Sequence, residues 1–175
     1  NYRTTEEIRR EAVSLLEHVE VDDLDGGSDE IARYKSLLHG SVPEHIRGAS
    51  MDRVRKGIAE FVAGCLHAHL DVKIGVMAPT VKLRDQLAKQ LREAGYKVAT
   101  VNHRERLSRK DALIFAMTLH RAKGLEFDAV VIVVNRELDD ELRKLVYVGM
   151  TRAKRAARLY SGSLIGRRQV EPRSA

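Results

Sequence analysis

Apolar positions recur along this chain at helical spacing in four segments, and each segment predicts a helix with one buried face. A Thr4-Thr-Glu-Glu7 capping box, Ser50 and Thr80 mark the starts of three of them. The predicted helices are one from the capping box towards Val19, one from Met51 to about His69, one from Thr80 to Ala94, and one from Leu138 to Met150.

Short, mostly apolar runs lie between these helices and predict buried strands. The runs are Lys73–Met77, Lys97–Val101, Leu113–Leu119, Ala129–Val134 and Ala157–Ser161, with weaker candidates at Tyr34–Leu38 and Glu44–Arg47. Strands that alternate with helices and are apolar throughout are typical of a parallel sheet covered on both faces. The pattern therefore predicts an α/β domain with a mainly parallel sheet.

Length and composition are typical of one globular domain. The chain has 175 residues, of which 43% are hydrophobic and 32% charged, so it can bury a substantial core. No apolar run approaches the roughly 20 residues that cross a bilayer, and nothing resembles a signal peptide. Cys65 is the single cysteine, which excludes an internal disulfide and fits a reducing compartment. We therefore expect a cytoplasmic protein without a membrane partner.

The net charge of +6 and the pI of about 9.6 favour a polyanionic partner. Lysine and arginine clusters gain affinity by releasing counterions from nucleic acid, although ordinary solubilising charge explains the same balance. Aromatic residues make up only 5%, with no Trp, which argues against a base-stacking platform.

Two further patterns resemble metal sites only superficially. The acidic segment from Asp22 to Glu30 lacks the alternating carboxylates and distal Glu of a calcium loop, so we interpret it as a solvated loop. His67 and His69 are two residues apart, which directs them to different sides of a helix. We expect no metal site in either place.

Polar residues cluster in two segments near the C-terminal end, each beside a buried apolar element. The first is Thr118-Leu-His-Arg-Ala-Lys-Gly-Leu-Glu-Phe-Asp-Ala-Val-Val-Ile-Val-Val134, and the second is Leu145-Val-Tyr-Val-Gly-Met-Thr-Arg-Ala-Lys154. The loop in the first segment lies between two predicted strands, at an edge of the sheet where α/β domains bind ligands. Its Gly124 lets backbone approach a ligand closely, and its Glu126 can accept hydrogen bonds from sugar hydroxyls. A plain surface loop with a turn glycine is the alternative.

These segments resemble motifs V and VI of the UvrD/Rep/PcrA-type superfamily 1 helicases, in which both belong to the second of two RecA-like motor domains. The resemblance implies a RecA-like three-layer α/β/α domain. It implies that Thr118 and His120 contact DNA, and that Gly124 and Glu126 reach the nucleotide and its ribose. It implies that Arg152 reaches the ATP γ-phosphate as an arginine finger. The alternative for Arg152 is a cation that offsets the dipole at a helix C-terminus, which is our interpretation of Lys154, Arg155 and Arg158.

The first three residues, Asn1-Tyr2-Arg3, resemble motif IV of the same family. The resemblance implies that Tyr2 stacks on adenine and that Arg3 is a second contact to the γ-phosphate. The three motifs occur in the family's order, so the likeness extends over nearly the whole of residues 1–175, with an Arg-rich tail from about residue 162.

The chain departs from the family in three ways. It has no Gly-x-x-x-x-Gly-Lys-Ser/Thr loop, so we expect a P-loop domain to precede it and expect this part alone to hold half of an ATP site and to be inactive. The stretch between Val98 and Thr118 is too short for the large domain inserted there in UvrD. Pro79-Thr80-Val81 stands where the family often has a DNA-contacting Arg-Thr-Asn, and only Thr80 could keep a phosphate contact.

The sequence thus predicts the C-terminal motor domain of an ATP-dependent DNA helicase or translocase, moving 3′ to 5′ by family resemblance. Its expected partners are ATP with Mg²⁺, single-stranded DNA or a single-strand/duplex junction, and the N-terminal RecA-like domain of the same protein; we expect a monomer. The alternatives are a non-catalytic RecA-like module that binds nucleic acid or protein, and the motor part of a helicase–nuclease fusion.

Overall fold

The computed structural model describes residues 4–17, 19, 41–68, 71–102 and 112–162. Its helices are α1 (Glu6–Ser14), α2 (Met51–Ala68), α3 (Val81–Glu93) and α4 (Asp140–Met150). Its strands are β1 (Glu44–Arg47), β2 (Ile74–Ala78), β3 (Val98–Thr100), β4 (Ile114–Thr118), β5 (Phe127–Val133) and β6 (Ala153–Ser161), with a 3₁₀ turn at Leu119–Arg121. None of these helices combines the length and apolar character needed to cross a membrane.

The six strands form one sheet in the order β1-β6-β5-β2-β4-β3, and every neighbouring pair is parallel. The central strands β2, β4 and β5 are the most apolar runs of the sequence, and nearly all of their residues are buried. A strand buried on both faces must carry apolar side chains on both, which is why these runs do not alternate with polar residues. The predicted fold class, a RecA-like α/β domain with a mainly parallel sheet, is confirmed.

Helices cover the two faces of the sheet and divide the core into two clusters. On one face α1 and α4 pack over Phe115, Phe127 and Ile132. On the other face α2 and α3 pack over alternate residues of the same strands, including Val76 and Val131. The layers are therefore helix, sheet and helix, as predicted.

The local signals at Ser50 and Thr80 predicted their helix starts correctly. Ser50 Oγ accepts from the backbone N–H of Arg53 at 3.2 Å, and Thr80 Oγ1 accepts from that of Leu83 at 3.3 Å. The Tyr34–Leu38 strand candidate lies outside the described residues.

Two local predictions were wrong. The Thr4-to-Glu7 capping box does not form, because Thr5 is the N-cap and its side chain makes no cap hydrogen bond, while the Thr4 hydroxyl donates to the Thr151 carbonyl at 3.2 Å. The last strand begins at Ala153 and not at Ala157, because pairing with β5 starts there. The cations assigned to a helix C-terminus, Lys154, Arg155 and Arg158, therefore lie on β6.

Candidate functional site

The connection between β4 and β5 runs from one edge of the sheet to the other. Thr118, the last residue of β4, pairs with Ala78 at the end of β2, whereas Ala129 of β5 pairs with Ile74 at the start of β2. These two levels are four residues apart along β2, or roughly 13 Å at the rise of a strand. The expectation that the whole loop lies at one edge was therefore wrong. Thr118 lies where the strands have their carboxyl ends, which we call the carboxyl edge, and Glu126 lies where they have their amino ends, the amino edge.

Two residues of this connection are part of the core. Leu119 and Ala122 are fully buried, and the backbone N–H of Ala122 donates to the Leu119 carbonyl to close the 3₁₀ turn. Leu119 packs beneath α4 so closely that a Cβ added at Gly149 would lie 2.9 Å from its Cδ2 atom. The connection is thus anchored to the helix that leads to Arg152.

A cavity of about 640 Å³ opens at the carboxyl edge, beside the end of β4. Two predicted DNA-contact residues, Thr118 and His120, line it together. Thr80 does not, although its neighbours do, and its hydroxyl caps α3. The cavity wall consists of Pro79, Val81, Arg84, Asn102, Thr118, His120 and Arg121.

Motif reasoning missed Arg84, which is only 6% exposed and lies in this wall. Its Nη1 donates to Asn102 Oδ1 at 2.8 Å, and its Nε donates to Asp85 Oδ1 at 2.9 Å. The available signal was positional, because Arg84 belongs to the apolar stripe of α3 with Leu83 and Leu87, where a charged side chain is unusual.

The predicted nucleotide contacts at the amino edge lie close to one another. Gly124 is exposed and has a φ of +83°, a left-handed conformation that favours glycine. A Glu126 carboxylate oxygen lies 3.2 Å from Lys154 Nζ, with each side chain about two-fifths exposed. The next residue, Phe127, donates its backbone N–H to the Arg152 carbonyl at 2.9 Å, which brings Arg152 to the same edge.

Arg152 follows α4 with its side chain folded back onto the helix end. Its Nε donates to the Val148 carbonyl at 3.0 Å, and its Nη2 donates to Thr151 Oγ1 at 3.3 Å. Both acceptors are neutral, and the guanidinium is partly exposed. In this conformation Arg152 occupies the position that a cation takes at a helix C-terminus, where it offsets the helix dipole.

The start of α1 lies against this helix end through the hydrogen bond from Thr4 to Thr151. Nearby, burial raises the pKa of Tyr147, and the positive charges of Arg152 and Arg9 partly oppose that rise. Arg9 is itself paired with Glu6, through Nη2 at 2.7 Å. Tyr2 and Arg3, the predicted adenine and γ-phosphate contacts, lie outside the described residues.

One part of the chain matches a known protein family. Residues 113–160 match the family described as the UvrD-like helicase C-terminal domain. The match includes all the motif V and VI residues named above, from Thr118 to Arg152. The resemblance to UvrD-type helicases that the sequence predicted is therefore confirmed over this part of the chain. No curated protein is similar to the chain in a direct sequence comparison.

The chain is also similar to solved structures of helicase domains. The C-terminal domain of a possible DNA helicase from Lactobacillus plantarum WCFS1 aligns with 95% of this chain and 90% of its own, with a TM-score of 0.67 and 18% identity. At that identity the likeness establishes a shared fold. The Pyrococcus furiosus Hef helicase domain aligns with 67% of this chain and 25% of its own, with a TM-score of 0.44 and 18% identity.

Proposed function

We propose that this chain is the second motor domain of an ATP-dependent DNA helicase or translocase that moves 3′ to 5′ along single-stranded DNA. In this proposal ATP and Mg²⁺ bind between this domain and a first RecA-like domain that supplies the P-loop. The chain's own contribution is to complete the nucleotide site and to couple it to DNA.

One observation carries the proposal: the β4–β5 connection joins the two edges of the sheet. Thr118 and His120 stand at its carboxyl-edge end, and Gly124 and Glu126 at its amino-edge end. The buried Leu119 packs against α4 at the carboxyl-edge end, and the buried Ala122 lies between the two ends. A displacement at one end would therefore be transmitted to the other end and to α4 through packed side chains.

At the amino edge, Arg152 is suited to bind a phosphate because the groups that now accept its hydrogen bonds are neutral and would be displaced easily. A neutral carbonyl and a hydroxyl hold the guanidinium, whereas a phosphate oxygen would offer a charge-assisted and bidentate partner. Glu126 would accept hydrogen bonds from ribose hydroxyls, and Gly124 would let the backbone approach the nucleotide.

At the carboxyl edge, the cavity offers the chemistry of a DNA contact. His120 and Arg121 are exposed basic residues in its wall, and Thr118 adds a hydroxyl. Side chains of this kind form most of their contacts with the phosphates of nucleic acids. The exposed Val81 and the adjacent Pro79 provide an apolar wall for a base or sugar.

The decisive experiment replaces Arg152 with Ala in the full-length protein that carries this domain. We expect DNA-stimulated ATP hydrolysis to fall by about 10³-fold or more, since arginine fingers contribute roughly 10³–10⁵ to the rate, while ATP binding is largely retained. Arg55→Ala, which removes an exposed arginine from α2, serves as the control. Unchanged turnover in Arg152→Ala would refute the finger assignment.

DNA contact is tested separately with His120→Ala. We expect weaker binding of a fluorescein-labelled oligothymidylate, with ATP affinity in the absence of DNA unchanged. Equal DNA affinity in wild type and variant would remove His120 from the proposed path.

A further inference from the structure

Arg84 carries a buried positive charge in the wall of the carboxyl-edge cavity, and its two ends have different kinds of partner. Nη1 is held by the Asn102 side-chain oxygen at 2.8 Å and by the Val101 carbonyl at 3.5 Å. Nε and Nη2 both face one carboxylate oxygen of Asp85, at 2.9 and 2.7 Å. Neutral groups therefore orient one end, and a single carboxylate occupies the other.

The two members of this ion pair differ sharply in exposure. The Arg84 side chain is 6% exposed, whereas that of Asp85 is 55% exposed. A carboxylate in water can leave the pair and be hydrated at little cost, but the guanidinium cannot follow it, because α3 and the chain after β3 enclose it. Arg84 without Asp85 would be a buried cation lacking a counter-charge, which is unfavourable unless another anion takes its place.

We propose that Arg84 is a phosphate-binding residue of the DNA site and that Asp85 occupies its binding edge until DNA displaces it. The proposal rests on the DNA contact proposed above and adds a residue that none of the motifs includes. The Nε–Nη2 edge of a guanidinium matches two phosphate oxygens as well as it matches a carboxylate. Asn102 and Val101 keep that edge in place in both states, so the exchange moves only the Asp85 side chain.

If Asp85 and a DNA phosphate compete for Arg84, removing the charge of Asp85 should strengthen DNA binding. Asp85→Asn in the full-length protein should bind a fluorescein-labelled oligothymidylate about two- to fivefold more tightly, the range that corresponds to an ion pair of this exposure. The matched control is Asp52→Asn on α2, which removes the same charge and an exposed Asp–Arg pair with Arg55 at 3.2 Å. The gain in DNA affinity from Asp85→Asn must exceed the gain from Asp52→Asn, because the control measures the effect of net charge alone.

A second variant tests whether the gain depends on Arg84. Arg84→Gln should weaken binding and lower the slope of log affinity against log salt by about 0.7, the value for one phosphate contact on a single strand. In the Arg84→Gln background, Asp85→Asn should have no larger effect than Asp52→Asn. Thermal melting of each variant shows whether it folds. If Arg84→Gln does not fold, the comparison of Asp85→Asn with Asp52→Asn tests the proposal by itself.

The outcomes separate this inference from the proposed function. If His120→Ala weakens DNA binding but Asp85→Asn matches Asp52→Asn, Arg84 is a structural residue and only the inference is wrong. If Asp85→Asn still strengthens DNA binding in the Arg84→Gln background, the gain does not depend on Arg84, and the inference is again wrong. A wild-type protein that does not bind the oligonucleotide at all overturns both the inference and the proposed DNA contact.

Discussion

Gly57 of α2 lies directly against the ring of Tyr160 of β6. A Cβ at Gly57 would lie 3.2 Å from the Tyr160 Cζ atom and closer still to the hydroxyl oxygen. Tyr160 is fully buried, and Arg158 donates from Nη1 to the Gly57 carbonyl at 3.0 Å. The absence of a side chain at Gly57 thus sets how closely α2 approaches the sheet.

Replacing Gly57 with Ala should destabilise the domain by about 1–3 kcal/mol, because the added methyl group overpacks a rigid contact. In an open helix position the same change stabilises by roughly 0.5–1 kcal/mol. Gly64 on the same helix is such a position, with no atom within 4 Å of its Cβ site. Urea unfolding of Gly57→Ala and Gly64→Ala should therefore give changes of opposite sign, and changes of the same sign would contradict the contact.

Lys154 should matter for nucleotide binding through Glu126. Replacing Lys154 with Met removes the cation 3.2 Å from the carboxylate, so Glu126 loses this ion pair at the edge where we propose the ribose binds. We expect KM for ATP to rise by about two- to fivefold, as for loss of an exposed pair, with kcat and the free energy of unfolding little changed. Steady-state ATPase assays of the full-length protein measure the first two quantities.

The control for that change is Lys89→Met, which breaks an exposed Lys–Glu pair on α3 with Glu93 at 3.8 Å. If both lysine variants change KM equally, Lys154 acts only through net charge.

His45 should make the domain less stable as the pH falls. Burial, followed by the charges of Arg47 and Arg143, lowers the pKa of His45 to about 4, and its Nε2 lies 2.8 Å from Ser161 Oγ. The unfolded chain therefore binds a proton at His45 below about pH 6.5 that the folded protein does not bind until about pH 4, so this contribution to stability declines over that interval.

Gln in place of His45 keeps a polar side chain without the titration. The free energy of unfolding of His45→Gln, measured by urea titration at several pH values between 7 and 4, should decline less steeply than that of the wild type. Parallel curves for the two proteins would show that His45 does not contribute.

Thr4→Val should loosen the attachment of α1 to the end of α4. It removes the hydrogen bond to the Thr151 carbonyl at a position that is 9% exposed, which should cost about 0.5–1.5 kcal/mol. Thr4→Ser retains the hydroxyl and should lose less stability. Because Thr151 precedes Arg152, we also expect Thr4→Val to lower ATP turnover of the full-length protein more than Thr4→Ser does, and equal turnover would separate α1 docking from catalysis.

Local signals in the sequence predicted local structure well. The caps at Ser50 and Thr80 depend only on residues within one turn, so sequence spacing suffices to identify them. The buried strands follow from composition, since few other environments accept seven almost wholly apolar residues such as those of β5. The fold class could therefore be predicted.

The features that sequence reasoning missed are set by tertiary contacts. The Thr4 hydroxyl bonds a carbonyl 147 positions away, and Arg84 donates to the Asn102 side chain, 18 positions along the chain. The two-edge arrangement of the β4–β5 connection follows from the parallel direction of the two strands, because a connection between parallel strands must cross from the carboxyl edge to the amino edge. Lys154 resembled a helix-end cation because its partner Glu126, directly before β5, is brought next to it only by the register of β5 and β6.

The burial of Leu119 and Ala122 has a mechanical consequence for the connection they belong to. A close-packed interior offers few alternative positions for a side chain, so Leu119 and Ala122 cannot shift gradually from one position to another. Any movement carried by this segment would therefore have to break the packing of Leu119 beneath α4 as a unit. In the motor domain proposed above, such a movement would be an all-or-none event and not the gradual bending of a flexible loop.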